Sequence, residues 1–399
     1  MSASGDFLGR HSAMDEIQIV SGPEAIGQLG PLWHAVGAGH GAGGPFDAFE
    51  IVRAAAETAT RNGFDPLVAV FRRDGHATTL LALRSERLVG ARVAVPLLYP
   101  LAQYATLVGA PLSPDALRQL REALCKQGFD VLLLRRVRAD GGLHDALSEA
   151  GRSQGASETA LFIDLHAFES FAAYDASFSS GTRRNRRQRR QKLEALAGPI
   201  SFEMRRGADA LAAFDTAMSW KRMWLAERGV SSAVFDAGPW EALLRETVAS
   251  GTALVSTLQA GSSLAAVEVG YADGTSYMAY LGAFDPKLSA ASPGQEQMLR
   301  TIAWCFEAGF SRYDLLAPAD DYKRQWARSG SGVAIDDYAV ALTPVGRGVA
   351  ELRRHVRPLA REIYHRLSPE VRVAGERYGM PAVAAAAAMC AGAVIAAIE

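Results

Sequence analysis

Cysteine is scarce in this chain of 399 residues, which holds only Cys125, Cys305 and Cys390. The three lie far apart and form no C-x-x-C pair. An odd, sparse set argues against a disulfide framework and against a zinc site, and it is typical of a reducing compartment. We therefore expect a cytoplasmic protein without a bound metal.

Histidine is missing from a long internal block. None of the eight histidines lies within residues 167–354. A Ser-His-Asp or Cys-His triad needs an imidazole beside its nucleophile. Chemistry confined to this block must therefore use other side chains.

The chain also lacks an excess of either charge: it has 42 Lys and Arg and 43 Asp and Glu, for a net charge of −1. Attraction to nucleic acid or membrane would have to come from a local patch. Residues 1–16 lack the apolar region of a signal peptide and are predicted to form a disordered leader. The wealth of Ala, Gly and Arg is typical of a high-GC bacterial genome.

Two segments repeat one plan about 180 residues apart. Ser113-Pro114 opens a predicted helix that ends near Gly128 and precedes an apolar strand. Ser292-Pro293 opens another, which ends at Gly309 and precedes Tyr313-Asp314. We interpret this as an internal duplication. The alternative is a chance similarity of two amphipathic helices.

Strand signals precede each of these helices. Apolar runs at 66–71 and 77–83 flank the turn dipeptide Asp74-Gly75, and runs at 253–258, 264–271 and 277–284 predict a meander. Residues 104–108 are predicted as a further strand. Residues 37–44 are rich in glycine and predict a loop.

The start of the second helix predicts an anion site. Ser292 can act as N-cap, and Pro293 suits the first helical position, where its missing N–H costs nothing. The free backbone N–H groups of a helix start attract phosphate. A phosphorylated carrier is the ligand that this pattern favours.

Several motifs along the second half carry a family resemblance: Phe178-Ser-Ser-Gly181, the basic helix from Arg183, Trp220 to Trp224, Ala265-Ala266, Ser292-Pro293-Gly294, Gly309 with Tyr313-Asp314, and Tyr322-Lys323-x-x-Trp326. At these residues the sequence resembles the GNAT-fold acetyltransferases, in the BioF-like branch that includes cellulose-biosynthesis acetyltransferases. The resemblance covers 165–330 well and 17–165 more weakly. Fem-type and leucyl/phenylalanyl transferases share the tandem arrangement.

The resemblance implies an α/β fold of tandem GNAT-like domains, each a mixed, mostly antiparallel sheet flanked by helices. The domains would be residues 17–165 and 166–343, with a helical extension over 344–399. The implied activity is acyl-CoA-dependent N- or O-acetyl transfer to a small or polysaccharide-precursor acceptor. Acetyl-CoA would be the co-substrate. No oligomeric state is predicted.

In that fold the acyl carrier lies between two splayed strands, with its pyrophosphate on the helix start. The family's phosphate loop is Q/R-x-x-G-x-G/A, whereas Leu288 to Gln295 has one glycine and no Arg at its start. The residues implied to bind the carrier are Tyr280, Gly282, Ser292, Gly294 and Gln295.

Four residues are candidates for the chemistry. Lys323, after Tyr322, could stabilise an oxyanion, because the resemblance implies that the matching Lys of Fem-type relatives lies near the reacting carbonyl, or its stem could pack on Trp326. Asp314 could be the general base or a structural partner of Arg312 or Lys323. Glu268, a lone acid in an apolar strand, could be a base in a cleft or an edge-strand charge that prevents aggregation.

The run 183–192 carries seven cations and no acid. Like charges at this spacing destabilise a helix, so an anionic ligand is one interpretation and a solvated charged helix is the other. The ligand could be a CoA tail, a nucleotide-sugar acceptor, a tRNA backbone or anionic lipid. The residues that we assign to substrate or anion binding are Arg183, Arg186, Arg187, Arg190, Trp220 and Trp326.

Two other functions compete with acetyl transfer. The basic helix and the degenerate phosphate loop favour an aminoacyl-tRNA-dependent, Fem-like transferase, although the neutral overall charge does not favour nucleic acid as a partner. A scaffold that keeps the fold and binds an anionic partner without turnover is the third hypothesis.

The C-terminal region is predicted to be helical. Residues 346–379 hold eight Arg and four Glu. The uncharged stretch Pro381–Ile398 is Ala-rich and has no Leu or Phe, so it is a poor membrane span. A peripheral contact with the inner face of the membrane is one hypothesis for it, and packing on the protein or a loose tail is the other. The apolar side predicted to pack on a domain is Leu352, Val356, Leu359, Ile363 and Leu367.

Overall fold

The computed structural model describes residues 16–40, 43–155, 157–230, 232–327 and 331–366, with side chains described up to residue 355. The predicted leader up to residue 15 and the Ala-rich stretch Pro381–Ile398 lie outside the described residues. The same holds for the side chains of Val356, Leu359 and Ile363, and for Leu367 altogether.

The first repeat begins with a strand and three helices and continues into a meander. Its elements are β1 (Glu16–Ser21), α1 (Pro23–Gly27), α2 (Gly30–His40), α3 (Phe49–Arg61), β2 (Pro66–Arg73), β3 (His76–Leu88), β4 (Ala91–Pro96), β5 (Val108–Gly109), α4 (Pro114–Lys126), β6 (Val131–Arg138), α5 (His144–Ala150), β7 (Arg152–Ser153) and β8 (Glu158–Asp164).

The second repeat follows a similar plan, with two additional helices before its first strand and two helices, rather than three, between that strand and its meander. Its elements are α6 (Phe171–Ala176), α7 (Ser180–Ala197), β9 (Ile200–Arg205), α8 (Leu211–Glu227), α9 (Pro239–Ala249), β10 (Ala253–Ala260), β11 (Ser263–Ala272), β12 (Ser276–Phe284), α10 (Pro293–Glu307), β13 (Arg312–Asp314), α11 (Asp321–Ala327), β14 (Gly332–Ala341) and α12 (Pro344–Arg366).

The strands of the described ranges form one mixed sheet, in the order β1-β2-β3-β4-β6-β14-β8-β13-β12-β11-β10-β9, with β5 on β3 and β7 on β14. Each repeat has an antiparallel meander followed by a parallel pair, β4 with β6 and β12 with β13. Helices cover both faces. The predicted fold class of tandem, mixed sheets flanked by helices is confirmed.

The two repeats exchange strands at the centre of the sheet. β8 closes the first repeat in sequence but pairs with β13 of the second, Arg312 opposite Asp164. β14 closes the second repeat but pairs with β6 of the first, Ala341 opposite Val131. Each half therefore completes the sheet of the other.

One apolar cluster crosses the boundary between the repeats. It contains Val68 and Leu80 from the first repeat and Val267 and Leu281 from the second, under helices α1 to α3, α8 and α9. Separate clusters on the other face of the second repeat lie under α6, α7, α10 and α11. The two faces of the second repeat thus have different neighbours.

Three predictions of local structure are wrong. Residues 37–40 belong to α2, because Trp33 and Val36 of that helix pack into the core and this outweighs the low helix propensity of glycine. Of the strand predicted at 104–108, only Val108 is in β5. In α12 it is Val349 and Ala350 that pack on the sheet, while Leu352 is 49% exposed.

Candidate functional site

The starts of the two equivalent helices, α4 and α10, differ. In α4, the Ser113 hydroxyl caps the helix by accepting a hydrogen bond from Ala116 N at 3.1 Å. In α10, Ser292 has the left-handed conformation, with φ of 52°, and its side chain makes no capping hydrogen bond. The predicted helix start at Pro293 is confirmed, but the predicted capping by the Ser292 hydroxyl is wrong. The start of α10 is therefore not closed by its own N-cap side chain.

The parallel strands β12 and β13 pair at three positions only, and we call this pair of strands the V. Their last pairs are Tyr277 with Tyr313 and Met278 with Asp314. β13 ends there, whereas β12 continues to Phe284 and leads to the start of α10. A gap therefore opens beside residues 279–284. Of the residues assigned to carrier binding on β12, Gly282 is exposed, whereas Tyr280 is buried and donates its hydroxyl to Leu101 O of the first repeat at 2.8 Å.

A pocket of about 310 Å³ lies between α7, the first turn of α10 and α11. The Arg186 guanidinium stacks on Phe178 and on Trp326, 4.0 and 4.4 Å from the ring centroids. Arg189 Nη1 donates to Gln295 Oε1 at 2.5 Å. The structure thus brings together Arg186 and Trp326, which were assigned to substrate or anion binding, and Gln295, which was assigned to carrier binding.

The basic run on α7 is divided between two environments. Arg186 forms an ion pair with Asp175 at 3.0 Å, and Arg190 forms one with Glu296 of α10 at 3.0 Å. Arg184 and Arg187 are exposed, and Arg183 is half-buried. Part of the run therefore attaches α7 to its neighbours, and part faces solvent.

Lys323, on α11, contacts the segment that follows β13. Its Nζ donates to Leu316 O and to Pro318 O, each at 3.0 Å, in the segment that leaves β13. Burial lowers the pKa of this ammonium group. The two contacts use two of its three N–H donors. The neighbouring Tyr322 turns its hydroxyl inward, 3.2 Å from Met298 Sδ, and burial raises its pKa to about 12.

Asp314 joins the two repeats. It accepts hydrogen bonds from the Tyr104 hydroxyl at 3.0 Å and from Leu316 N at 2.8 Å, and it forms an ion pair with Arg138 at 2.6 Å. The structural partner predicted for it, Arg312 or Lys323, is therefore wrong. Arg312 instead pairs with Asp140 at 3.1 Å.

A second pocket, of about 500 Å³, lies between the repeats, and Met278 and Asp314 at the vertex of the V line it. Its first-repeat wall includes Tyr104, Arg138 and Asp140. Arg138 contacts Asp140 at 2.8 Å as well as Asp314. The two arginines described in its lining, Arg138 and Arg312, are thus both paired with carboxylates.

Glu268 lies on the other face of the sheet. The hydroxyl groups of Tyr277 and Tyr313 donate to its carboxylate, at 3.1 and 2.8 Å respectively. β11 has β10 and β12 on its two sides, so the edge-strand interpretation is wrong. The side chain is buried beneath α10, so the cleft interpretation is wrong too. Burial raises the pKa of Glu268 to about 7.

Comparison with known families decides the nature of the second repeat. Residues 180–324 match the family described as acetyltransferase (GNAT) domain. This segment is a GNAT acetyltransferase domain. It contains the start of α10, the V and the candidate residues from Arg183 to Lys323. The prediction of an acyltransferase of this superfamily is confirmed.

Solved structures resemble most of the chain at low identity. One described as FemX is 11% identical, with 76% of this chain and 93% of that one covered and a TM-score of 0.54. L-PGS from Bacillus licheniformis is 12% identical over 81% and 95%, with a TM-score of 0.49. These likenesses concern the fold. A sequence comparison with curated proteins finds no match.

The GNAT domain does not bring all the predicted residues together. Trp220, on α8, packs half-buried against the core cluster that the repeats share, on the face opposite α7. Because successive residues of a strand point to opposite faces, Asp314 is separated from Tyr313 and hence from Glu268. Lys323 and Asp314 remain close enough for their charges to interact.

None of the first-repeat residues that line the pocket between the repeats was predicted from the sequence. Tyr104, Arg138 and Asp140 come from residues with no motif of their own. The run Arg135-Arg136-Val-Arg138 after an apolar strand was the available signal, because it places cations at the end of a strand. In the described ranges no cluster of His, Cys, Asp and Glu is arranged to hold a metal, and no helix there is long and apolar enough to cross a bilayer.

Proposed function

We propose that the GNAT domain transfers an acyl group, acetyl from acetyl-CoA, to an amine or hydroxyl of an acceptor. The observation that carries this proposal is the start of α10, which lies at the end of the V without a side-chain cap. The backbone N–H groups of such a start bind phosphate.

The first repeat supports the proposal by contrast. Its helix start is capped by Ser113, and Asp115 occupies the position that corresponds to Gly294. A carboxylate at this point repels a phosphate. We therefore expect one acyl-CoA per chain, held at the second helix start.

The carrier would follow the V toward the pocket under α7. The pantetheine arm would lie along residues 278–284 of β12, and the phosphates near Ser292, Gly294 and Gln295. Arg186 and Arg189 line the adjoining pocket and would contribute positive charge. This arrangement assigns a ligand to the paired part of the basic helix.

The acceptor would enter the pocket between the repeats. Met278 and Asp314 belong both to this pocket and to the vertex of the V, so an acceptor there would meet the thioester. Because both arginines of the lining are already paired, the end of the acceptor that enters is neutral or cationic. A small amine or the sugar end of a polysaccharide precursor fits this description.

The transfer would be mainly a matter of position. The acceptor nitrogen or oxygen bonds to the carbonyl carbon, the carbon–sulfur bond breaks, and CoA leaves as the thiol after taking up a proton. In this proposal Asp314 accepts the proton of the acceptor. The remaining N–H of Lys323 and backbone N–H groups stabilise the developing oxyanion.

An aminoacyl-tRNA-dependent transfer is the second candidate, because the exposed part of α7 favours it. Arg184, Arg187 and Lys192 face solvent on that helix. Phosphate contacts by such residues would make tRNA binding fall steeply with salt. Acetyl-CoA would then not bind.

Calorimetric titration of acetyl-CoA into the purified chain tests the proposal, with desulfo-CoA and free tRNA titrated separately. We expect saturable binding at one site per chain. Gly294→Asp should abolish it, since it gives α10 the acid that α4 already has. Ser113→Ala, at the corresponding start of α4, is the matched control and should leave it unchanged.

If no CoA species binds, acetyl transfer from CoA is refuted. Salt-sensitive tRNA binding in the same experiment would then favour the second candidate. Neither ligand binding would favour a scaffold without turnover.

A further inference from the structure

Glu268 connects three adjacent strands through its carboxylate. It lies on β11 and accepts the hydroxyl of Tyr277 on β12 at 3.1 Å. It also accepts the hydroxyl of Tyr313 on β13, at 2.9 Å on Oε1 and 2.8 Å on Oε2. We call these three residues the tyrosine–carboxylate clamp.

The clamp lies one residue from the vertex of the V. Tyr277 and Tyr313 face each other across the parallel pair, and their rings are stacked with centroids 5.4 Å apart. Met278 and Asp314 form the next pair, after which the strands separate. The clamp therefore joins β12 and β13 one residue pair before their pairing ends.

The backbone around the clamp makes room for it. A Cβ at Gly270 would overlap the Tyr277 ring, so only glycine leaves enough space for that ring. The pairing of β11 with β12 shifts register between Val269 and Gly270. Glu268 itself is 6% exposed, and burying a carboxylate is costly unless it is hydrogen-bonded. The hydroxyl groups of Tyr277 and Tyr313 offset part of the cost of burying the Glu268 carboxylate.

We propose that Glu268 is a positioning residue that ties β12 to β13 and so sets the width of the gap for the acyl carrier. The second half of this statement rests on the proposed function. Glu268 is not the general base in this view. Its carboxylate is enclosed beneath α10, on the face of the sheet opposite the pocket that Asp314 lines.

Substitution of Glu268 by glutamine or by leucine distinguishes a positioning residue from a general base. Oε1 of Glu268 accepts from both tyrosines, so the amide oxygen of Glu268→Gln can keep both hydrogen bonds. Glu268→Leu keeps the approximate size and loses both. A positioning residue tolerates the first change and not the second, whereas a general base tolerates neither.

Amide hydrogen exchange of the unliganded chain is the first measurement. We expect faster exchange at residues 276–279 and 312–315 in Glu268→Leu and unchanged exchange in Glu268→Gln. Tyr271→Phe is the matched control, because it removes another fully buried hydroxyl, bonded to Thr247 at 2.7 Å, on the same strand but the opposite face. It should leave both segments unchanged.

Acetyl-CoA affinity and turnover are the second measurement. Glu268→Leu should raise the dissociation constant on the order of tenfold, as expected for a lost hydrogen-bonded contact. Glu268→Gln should keep affinity, turnover and the pH profile of turnover near those of the wild type. A loss of roughly 10²–10⁴-fold in turnover in Glu268→Gln, with unchanged affinity, would identify a general base and overturn the proposal.

The two measurements also distinguish the two proposals. If the wild type does not bind acetyl-CoA, the proposed function fails while hydrogen exchange still tests the clamp. Equal exchange at both segments in the wild type and in Glu268→Leu refutes the clamp, whatever the ligand.

Discussion

Single side chains join the halves of this protein at the vertex of the V. Asp314 receives its ion pair from Arg138 and a hydrogen bond from Tyr104, both of the first repeat. Removing one partner of a buried ion pair leaves an uncompensated charge. The position of the predicted base therefore depends on residues that lie outside its own domain.

The role of the single side chain of Lys323 can be tested by substitution. Lys323→Met should lower turnover, because it removes the side-chain donor that is proposed to stabilise the developing oxyanion. It should also lower stability by about 1 kcal/mol for each lost hydrogen bond, since Leu316 O and Pro318 O lose their donor. Turnover and thermal unfolding measure the two effects. Lys323→Arg is the control, and a stability loss without any change in turnover would limit Lys323 to a structural role.

The ionisation of Glu268 should be visible in stability. Its pKa is about 7 in the folded chain, against 4.5 for the free side chain. Between these values the folded chain binds more protons than the unfolded chain, so stability falls as pH rises. Since Glu268→Gln lacks this loss, its stability relative to the wild type should rise from pH 4.5 to 7 and then level off.

The size of that rise should be about 3 kcal/mol, because each pH unit between the two pKa values contributes about 1.4 kcal/mol. The titratable groups that face Glu268 are Tyr277, Tyr313, Tyr322 and Cys305, whose pKa values burial raises, so they stay neutral in this range. Denaturant unfolding at several pH values measures the difference. A difference that does not vary with pH would contradict the assignment.

At the scale of elements, one part of helix α7 packs against its neighbours and another part faces solvent, and the sequence does not distinguish the two parts. Seven cations in ten residues predict one basic surface. The structure instead stacks Arg186 on Trp326 and Phe178 and leaves Arg187 exposed. Which side of the helix is buried depends on packing against α10, and such packing is a tertiary effect.

This division predicts different effects along α7. Arg186→Ala should weaken acetyl-CoA binding several-fold and lower stability, because it removes a stacked guanidinium from the pocket wall. Arg187→Ala, one residue away, should change neither. Calorimetry and thermal unfolding measure both. Equal effects on acetyl-CoA binding would mean that the carrier contacts the exposed side of α7.

Local patterns predicted the elements better than their contacts. Asp74-Gly75 and Ser292-Pro293 located a hairpin and a helix start because turn and cap chemistry depends on adjacent residues. Glu268 was assigned to an edge or a cleft because its strand was read without its neighbours. Sequence alone does not show that two tyrosines, 9 and 45 residues away, would bury it.

At the scale of the whole molecule, the strand exchange pairs the last strand of each repeat with a strand of the other repeat. The predicted domain boundary at 165/166 leaves β8 with the first repeat, although β8 pairs with β13. No local signal marks such a pairing, since hydrophobic alternation does not name the partner of a strand. The repeated plan of the two halves was visible in the sequence, and the exchange of strands between them was not.

Fragments of the chain test this interlocking. A fragment of residues 157–341 retains β8 beside β13 and should be more stable than one of residues 166–341, which exposes β13. Both lack β6 as the partner of β14, so they differ only by the first nine residues. Circular dichroism and denaturant unfolding measure the difference, and equal stability would show that β8 contributes little.

The exchanged strands also bear on the history of the chain. Once β8 and β14 had traded places, deletion of either copy would have left the other with an unpaired strand edge, which invites aggregation. A duplication that interlocks in this way cannot be undone one copy at a time. The first repeat is therefore not free to disappear, even if the second repeat alone binds the acyl carrier, as proposed.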